Sequence, residues 1–129
     1  MTPDPSEDRN AMSFAGLVAW AWRETPPVHA NAANRLLHLF AVPLFVVGNG
    51  LVVAGFVVGW RLSVAGLMAI VVSLALQKFG HSLERNQAPA FAGARDFLRR
   101  IYAEQFFNFW RFLLSGRWHA QFRARKPSA

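Results

Sequence analysis

The sequence contains no cysteine and few charged residues. The missing cysteines exclude disulfides, thiolate zinc sites and a cysteine nucleophile. Charged residues make up 16% of the 129 residues, whereas an ordinary soluble domain carries about 25%. Between Leu36 and Gln77 the only charged side chain is Arg61. The sequence also has no nucleophile elbow, no glycine-rich phosphate loop and no HExxH motif. These absences exclude several enzyme classes and leave one strongly apolar domain.

Two uncharged runs fill the middle of the chain. The run Phe40 to Gly59 has 20 residues, about the length that an α-helix needs to cross a hydrocarbon core of ~30 Å. After an interruption at Trp60-Arg61, Leu62 to Gln77 adds 16 uncharged residues. Both runs are apolar on all faces, and 129 residues are too few to bury two such helices in a soluble core. We therefore predict two membrane spans, at about 38–59 and 62–79, joined by a tight turn.

The expected fold is an all-α integral membrane protein with a single domain. A disordered lead over 1–11 precedes a membrane domain over 12–116, and a basic tail covers 117–129. Within the domain, a two-span helical hairpin is flanked by a short N-terminal helix and by an amphipathic, aromatic C-terminal helix over about 94–115. The first ten residues do not resemble a secretory signal, so the first span would direct the chain to the membrane.

The basic residues predict the orientation and the partners. There are 3 before the first span and 10 after the second, against Arg61 alone in the turn. By the positive-inside rule, both termini then lie in the cytoplasm. The net charge of +7 also suits nucleic acid, but the basic residues alternate with Phe and Leu and form no reading motif, so we expect no nucleic-acid partner. Close helix approach at small residues allows a homodimer through Gly48, Gly50, Gly55 and Gly59.

Three of the four histidines occupy positions that a hairpin would bring to one membrane boundary. His38 lies 22 residues before Trp60 and His81 lies 21 residues after it. Both side chains therefore reach nearly the same depth, ~32 Å from the turn. His29 can join them only if the chain bends, and Pro26-Pro27 predicts a break. Two or three imidazoles with one carboxylate and no thiolate suit non-haem Fe(II), Zn or Mn, and open coordination positions favour iron and oxygen chemistry.

Polar neighbours at helical spacing extend this candidate site. Asn34 shares a face with His38, and Glu84 shares a face with His81. Glu84 would be a carboxylate ligand, an acceptor that fixes the His81 tautomer, or a member of a solvated ion pair. Asn34 alternatively caps the first span. We interpret the fourth histidine, His119, as an interfacial polar residue.

Two other interpretations of these residues stay open. On the first, the histidines are only interfacial, and the protein is a non-catalytic membrane module. Its basic amphipathic helix would then bind anionic lipid or a partner protein, with Arg99 and Arg100 at the contact. On the second, His38 and His81 are the axial ligands of a haem.

Three segments resemble the motifs of one protein family. The string from His29 to His38 resembles the H-x4-N-R-x2-H signature of a family of small membrane proteins, and Gly80 to Pro89 resembles its second block. The segment Trp110 to Gly116 is similar to the closing block, so the resemblance covers about residues 14–117. Many bacterial members are uncharacterised. The eukaryotic members are 2-hydroxy-fatty-acid dioxygenases, iron-dependent enzymes of the endoplasmic reticulum that shorten their substrate by one carbon.

The resemblance implies a function and a set of site residues. The chain would be a membrane-embedded non-haem iron dioxygenase acting on a 2-hydroxy fatty acid or a related lipid acid. The Fe(II) ligands would be His29, His38 and His81. Glu84 would be a further catalytic residue, although it follows His81 by three residues and the family's acidic residue follows by four. By position, Asn34 and Arg35 are the candidates for binding the substrate, and Arg35 suits its carboxylate.

Overall fold

Every regular element in the computed structural model is a helix over residues 8–118, which are the residues that the structure describes. The elements are α1 (Phe14–Val28), α2 (Ala32–Val58), α3 (Trp60–Ser82), α4 (Ala94–Ala103), a π-helical turn (Glu104–Asn108) and α5 (Phe109–Leu114). The prediction of an all-helical fold is confirmed. His119, the first seven residues of the predicted lead and nearly all of the predicted tail lie outside the described residues.

The helices α2 and α3 are the long apolar elements. They have 27 and 23 residues, which gives lengths of about 40 and 35 Å, more than a hydrocarbon core of ~30 Å. Both are long and apolar enough to cross a membrane. Only 28% and 17% of their most apolar stretches is buried inside the protein, and Val57 is 90% exposed. Such faces need an apolar partner, since monomeric soluble proteins rarely expose patches of this kind.

α2 and α3 run antiparallel and make backbone contact. The Ser73 hydroxyl donates to the Ala41 carbonyl at 2.5 Å. Further along the pair, a Cβ added at Gly66 would lie 2.5 Å from the carbonyl oxygen of Gly48, so the two glycines allow the close approach. Gly48 therefore packs inside its own chain, although the sequence placed it among the residues facing a second copy. Gly50 has nothing within 4 Å of an added Cβ.

The first helix differs from the prediction at its end. The sequence predicted a break at Pro26-Pro27, whereas α1 continues through both prolines to Val28. A proline inside a helix removes one N–H donor and clashes with the preceding turn. The helix nevertheless ends one residue after Pro27. The non-helical link to α2 therefore covers residues 29–31.

The last helical segment packs on α1 and α3 through its π-helical turn. The Asn108 side-chain amide donates to the Val18 carbonyl of α1 at 3.1 Å. Gln105 and Gln77 exchange two hydrogen bonds, of 2.5 and 3.0 Å, between the turn and α3. Leu17, Trp20 and Ala21 of α1 form one buried apolar cluster. The π-helical turn thus connects the C-terminal segment to α1 and to α3.

Candidate metal centre

Three histidines come together at the end of the α2–α3 pair opposite Gly59. His29 lies in the link after α1, His38 on the second turn of α2, and His81 in the last turn of α3. Their ring centroids are 4.6 Å apart for His29–His38, 4.9 Å for His29–His81 and 4.7 Å for His38–His81. The rings meet edge to face, with interplanar angles of 84°, 73° and 77°. Three separate segments thus supply one compact imidazole cluster.

The hydrogen bonds of the rings leave nitrogen lone pairs available. His29 Nδ1 lies 2.8 Å from the Thr25 carbonyl oxygen, and His38 Nδ1 lies 2.9 Å from that of Asn34. A carbonyl only accepts, so both Nδ1 atoms carry the proton and both Nε2 atoms keep a lone pair. His81 Nδ1 is buried and has no hydrogen-bond partner among the described residues. The cluster therefore has the donor atoms that a metal requires.

The electrostatics keep His29 in the neutral form. Burial, followed by the neighbouring imidazoles of His38 and His81, holds the pKa of His29 well below its usual range. The ring is therefore unprotonated at neutral pH. Metal binding requires neutral imidazole, so no proton has to be displaced from this ligand.

The geometry fits a divalent transition metal better than a haem. The candidate ligand atoms of His29, His38 and His81 lie within 4.8 Å of one another. A tetrahedral metal with bonds of about 2.1 Å holds its nitrogens about 3.4 Å apart, so binding would draw the ligand atoms together by at most about 1.4 Å. Three protein ligands leave coordination positions open. The His38 and His81 rings pack directly against each other, with centroids 4.7 Å apart, and leave no gap for a porphyrin between them.

Glu84 lies beside the cluster but is not part of it. Its two carboxylate oxygens accept hydrogen bonds from the Asn31 backbone N–H at 2.9 and 3.0 Å. One of them also accepts from the Asn34 side-chain amide at 2.7 Å. The sequence predicted three alternative roles for Glu84: a metal ligand, a hydrogen-bond acceptor that fixes the His81 tautomer, or a member of a solvated ion pair. The structure shows a buried acceptor whose donors are two asparagines rather than His81.

Asn34 fills a space that Gly80 leaves open. A Cβ added at Gly80 would lie 2.3 Å from Asn34 Oδ1, so a glycine is needed where the end of α3 meets α2. The Asn34 amide also donates to the Val28 carbonyl at 3.1 Å. The N-cap of α2 is Asn31, whose side chain accepts from two backbone N–H groups of the first turn. Asn34 therefore joins α2 to α3 and does not cap the helix.

Arg35 is buried under the link that carries His29. Its side chain has no exposed surface. The guanidinium donates to the carbonyls of His29 at 3.0 Å and Ala30 at 2.7 Å. The sequence predicted that Asn34 and Arg35 bind the substrate. In the structure both are buried and hold the backbone around His29.

A small cavity adjoins His29 and His38. Its volume is about 10 Å³, which is the room that one water molecule needs. The far wall is the π-helical turn, which contributes Glu104, Gln105 and Asn108. Burial raises the pKa of Glu104, and Arg100 opposes that rise. Sequence reasoning missed this wall; the available signal was the group Glu-Gln-x-x-Asn inside an otherwise aromatic segment.

The arginines proposed to contact lipid are engaged inside the protein. Arg99 donates to the carbonyls of Arg9 at 3.1 Å and Met12 at 2.5 Å. Arg100 is 2% exposed and donates to the Pro89 carbonyl at 2.8 Å. These contacts join α4 to the segment before α1 and to the loop after α3.

Comparisons of the chain with protein-family models, with curated proteins and with solved structures find no match. A functional assignment therefore depends on the residues and the geometry of the histidine cluster.

Proposed function

We propose that the protein is a membrane-embedded non-haem iron dioxygenase that acts on a 2-hydroxy fatty acid or a related lipid acid. The observation that carries the proposal is the convergence of His29, His38 and His81, whose candidate ligand atoms lie within 4.8 Å of one another. Imidazole ligands with open positions are typical of catalytic sites rather than structural ones. Bound Fe(II) would supply the activation of dioxygen. The sequence resemblance described above agrees with this chemistry.

The proposal places α2 and α3 in the membrane as a two-span hairpin. The exposed apolar faces support this placement, since Phe40 is 73% and Val57 is 90% exposed. Trp60, at the turn, is 70% exposed, as expected of an aromatic residue at a membrane interface. α1 and the amphipathic C-terminal segment flank the hairpin, and the excess of basic residues puts both termini in the cytoplasm.

The histidine cluster then lies at the cytoplasmic boundary. His38 is 21 residues from Gly59, which corresponds to ~32 Å along a helix, about one hydrocarbon core. A fatty acid in the membrane holds its carboxylate at this depth. The substrate would approach from the half-buried side of His81. Lys78 is exposed and lies one turn away on α3, so its ammonium group would attract the carboxylate of the substrate.

The proposed reaction needs no external reductant. The bond between C1 and C2 of the 2-hydroxy acid breaks, C1 leaves as CO2, and C2 becomes the carboxyl carbon of the shortened acid. One O2 accepts the four electrons, and one water is the remaining product. Within the protein, Glu84 and Arg35 hold the segments that carry the histidines.

Oxygen consumption by the iron-loaded protein in detergent tests the proposal. We expect uptake with a 2-hydroxy fatty acid, none with the unsubstituted acid of equal length, and a product one carbon shorter by mass spectrometry. His81→Ala should abolish uptake, whereas His119→Ala, which alters the one histidine that is not a candidate ligand, should retain it. A protein that binds iron but consumes no oxygen with any 2-hydroxy acid would contradict the dioxygenase assignment.

A further inference from the structure

The cavity beside His29 and His38 is too small for any part of a lipid chain. Its volume of about 10 Å³ admits a single water-sized ligand. His81 does not line it, so the cavity and the half-buried side of His81 are two different approaches to the cluster. The residues that line the cavity therefore determine what it can bind.

Asn108 is the lining residue with an unsatisfied atom. The residue is 1% exposed. Its Nδ2 donates to the Val18 carbonyl at 3.1 Å, and this bond fixes which end of the amide is the oxygen. Asn108 Oδ1 is buried without a hydrogen-bond partner among the described residues. Buried carbonyl oxygens are almost always paired, and a ligand bound in the cavity that Asn108 lines could supply the missing hydrogen-bond donor.

The other lining groups can complete the partners of a bound water. Glu104 lies four residues before Asn108 on the same π-helical turn and lines the same cavity. Its carboxyl group can form a hydrogen bond with a bound water. The imidazoles of His29 and His38 lie on the opposite wall. Buried waters typically make about three hydrogen bonds, and this lining offers the amide oxygen of Asn108, the carboxyl group of Glu104 and the imidazole rings of His29 and His38.

We propose that this cavity binds one water molecule, which donates to Asn108 Oδ1 and lies against His29 and His38. The functional consequence rests on the proposed dioxygenase activity: a water-sized cosubstrate such as dioxygen enters the cluster through this position. The lipid acid approaches from the side of His81. The cavity would thus admit the small ligand, and the half-buried side of His81 would admit the large one.

Nuclear Overhauser effects between water and methyl groups test the proposal in the metal-free protein. Val42 has no exposed surface and lines the cavity, whereas Val57 is 90% exposed within the same apolar helix. In detergent-solubilised, methyl-labelled protein, we expect a water cross-peak at the Val42 methyls and none at the Val57 methyls, which detergent covers. Absence of a Val42 cross-peak in the wild-type protein would show a dry cavity and overturn the proposal.

Matched variants identify the residue that holds the water. Asn108→Leu should remove the Val42 cross-peak, and Asn108→Asp, which keeps an acceptor oxygen, should retain it. Asn49→Leu makes the same replacement at an asparagine outside the cavity wall and should change nothing. Thr25→Val removes the one alcohol hydroxyl that lines the cavity, so a cross-peak that persists does not arise from exchange with that hydroxyl. Loss of the cross-peak in Thr25→Val alone would contradict the proposal.

The two proposals fail separately in this design. The cross-peak is measured without metal, so a protein that binds no iron can still show the bound water. Conversely, iron binding with a dry cavity would leave the histidine centre in place and remove only the water site.

Discussion

The carboxylate of Glu84 accepts a hydrogen bond of 2.7 Å from the side-chain amide of Asn34. Through this contact the end of α3 is joined to the first turn of α2. The same carboxylate accepts the Asn31 backbone N–H at the end of the link that carries His29. Glu84 therefore ties together the three segments from which the imidazoles of the cluster come.

Replacing Glu84 should weaken metal binding without direct contact with the metal. Glu84→Ala leaves the Asn31 N–H and the Asn34 amide unpaired, and each lost charge-assisted hydrogen bond is worth about 1.5–3 kcal/mol. We expect Zn(II) affinity to fall about 10- to 100-fold, with a smaller loss for Glu84→Gln. Chelator competition measures the affinity, and Glu24→Ala on α1 is the control. Equal affinities for Glu84→Ala and Glu24→Ala would refute the positioning role.

Gly80→Ala should disturb the same junction by steric contact. The added Cβ would lie 2.3 Å from Asn34 Oδ1 and push the side chain away from Glu84. Gly50→Ala is the matched control, because an added Cβ at Gly50 has nothing within 4 Å. Alanine is the better helix former by about 1 kcal/mol, so Gly50→Ala should not lower the unfolding temperature in detergent. Gly80→Ala should lower it, and equal unfolding temperatures would refute the close packing at Asn34.

Gln77 and Gln105 should show strong energetic coupling. Gln77→Leu leaves both polar atoms of the Gln105 amide without their partner, and Gln105→Leu leaves Gln77 Oε1 without its donor, although Gln77 Nε2 still donates to Ser73 Oγ at 3.0 Å. A buried polar group left unsatisfied costs about 1–3 kcal/mol. The double Leu variant removes both amides and should be destabilised by clearly less than the sum of the single changes. Unfolding free energies in detergent measure the cycle, and Gln87 with Gln105 is the uncoupled control pair. Additive losses for Gln77 and Gln105 would show that the reciprocal hydrogen bonds do not form.

The two arginines Arg99 and Arg95 distinguish a folding role from a lipid-binding role. Arg99 donates to two backbone carbonyls of the segment before α1, whereas Arg95 is exposed. We expect Arg99→Glu to lower the unfolding temperature by several degrees and Arg95→Glu to have little effect. If both variants keep the wild-type stability and equally lose bound anionic lipid by native mass spectrometry, the lipid-module hypothesis is the better account.

Sequence reasoning predicted the relative positions of residues that follow from regular helix geometry. Counting residues from the turn placed His38 and His81 at the same depth, and their ring centroids lie 4.7 Å apart. This worked because α2 and α3 are long and uninterrupted, so that rise per residue fixes position. His29 can join the other two histidines only if the chain bends between α1 and α2. The prolines did not predict the position of this bend, because α1 continues past them to Val28.

The far wall of the cavity was beyond pattern reasoning. A period of 3.6 residues predicted one amphipathic helix over about 94–115 and gave Glu104, Gln105 and Asn108 no role in the site. A π-helical turn changes the local period and brings all three to one side. Gln77 was counted only as an uncharged residue, because its partner Gln105 is 28 residues away and depends on tertiary packing.

Metal content of the anaerobically purified protein in detergent tests the central claim most directly. The comparison is between the wild-type protein, the His38→Ala/His81→Ala double variant and the control His119→Ala, all reconstituted with Fe(II) and measured by mass spectrometry. We predict close to one iron per chain in the wild type and in His119→Ala, and none in the double variant with its helical content retained. A wild-type protein that holds no metal after reconstitution, or a double variant that keeps it, would contradict a histidine metal centre.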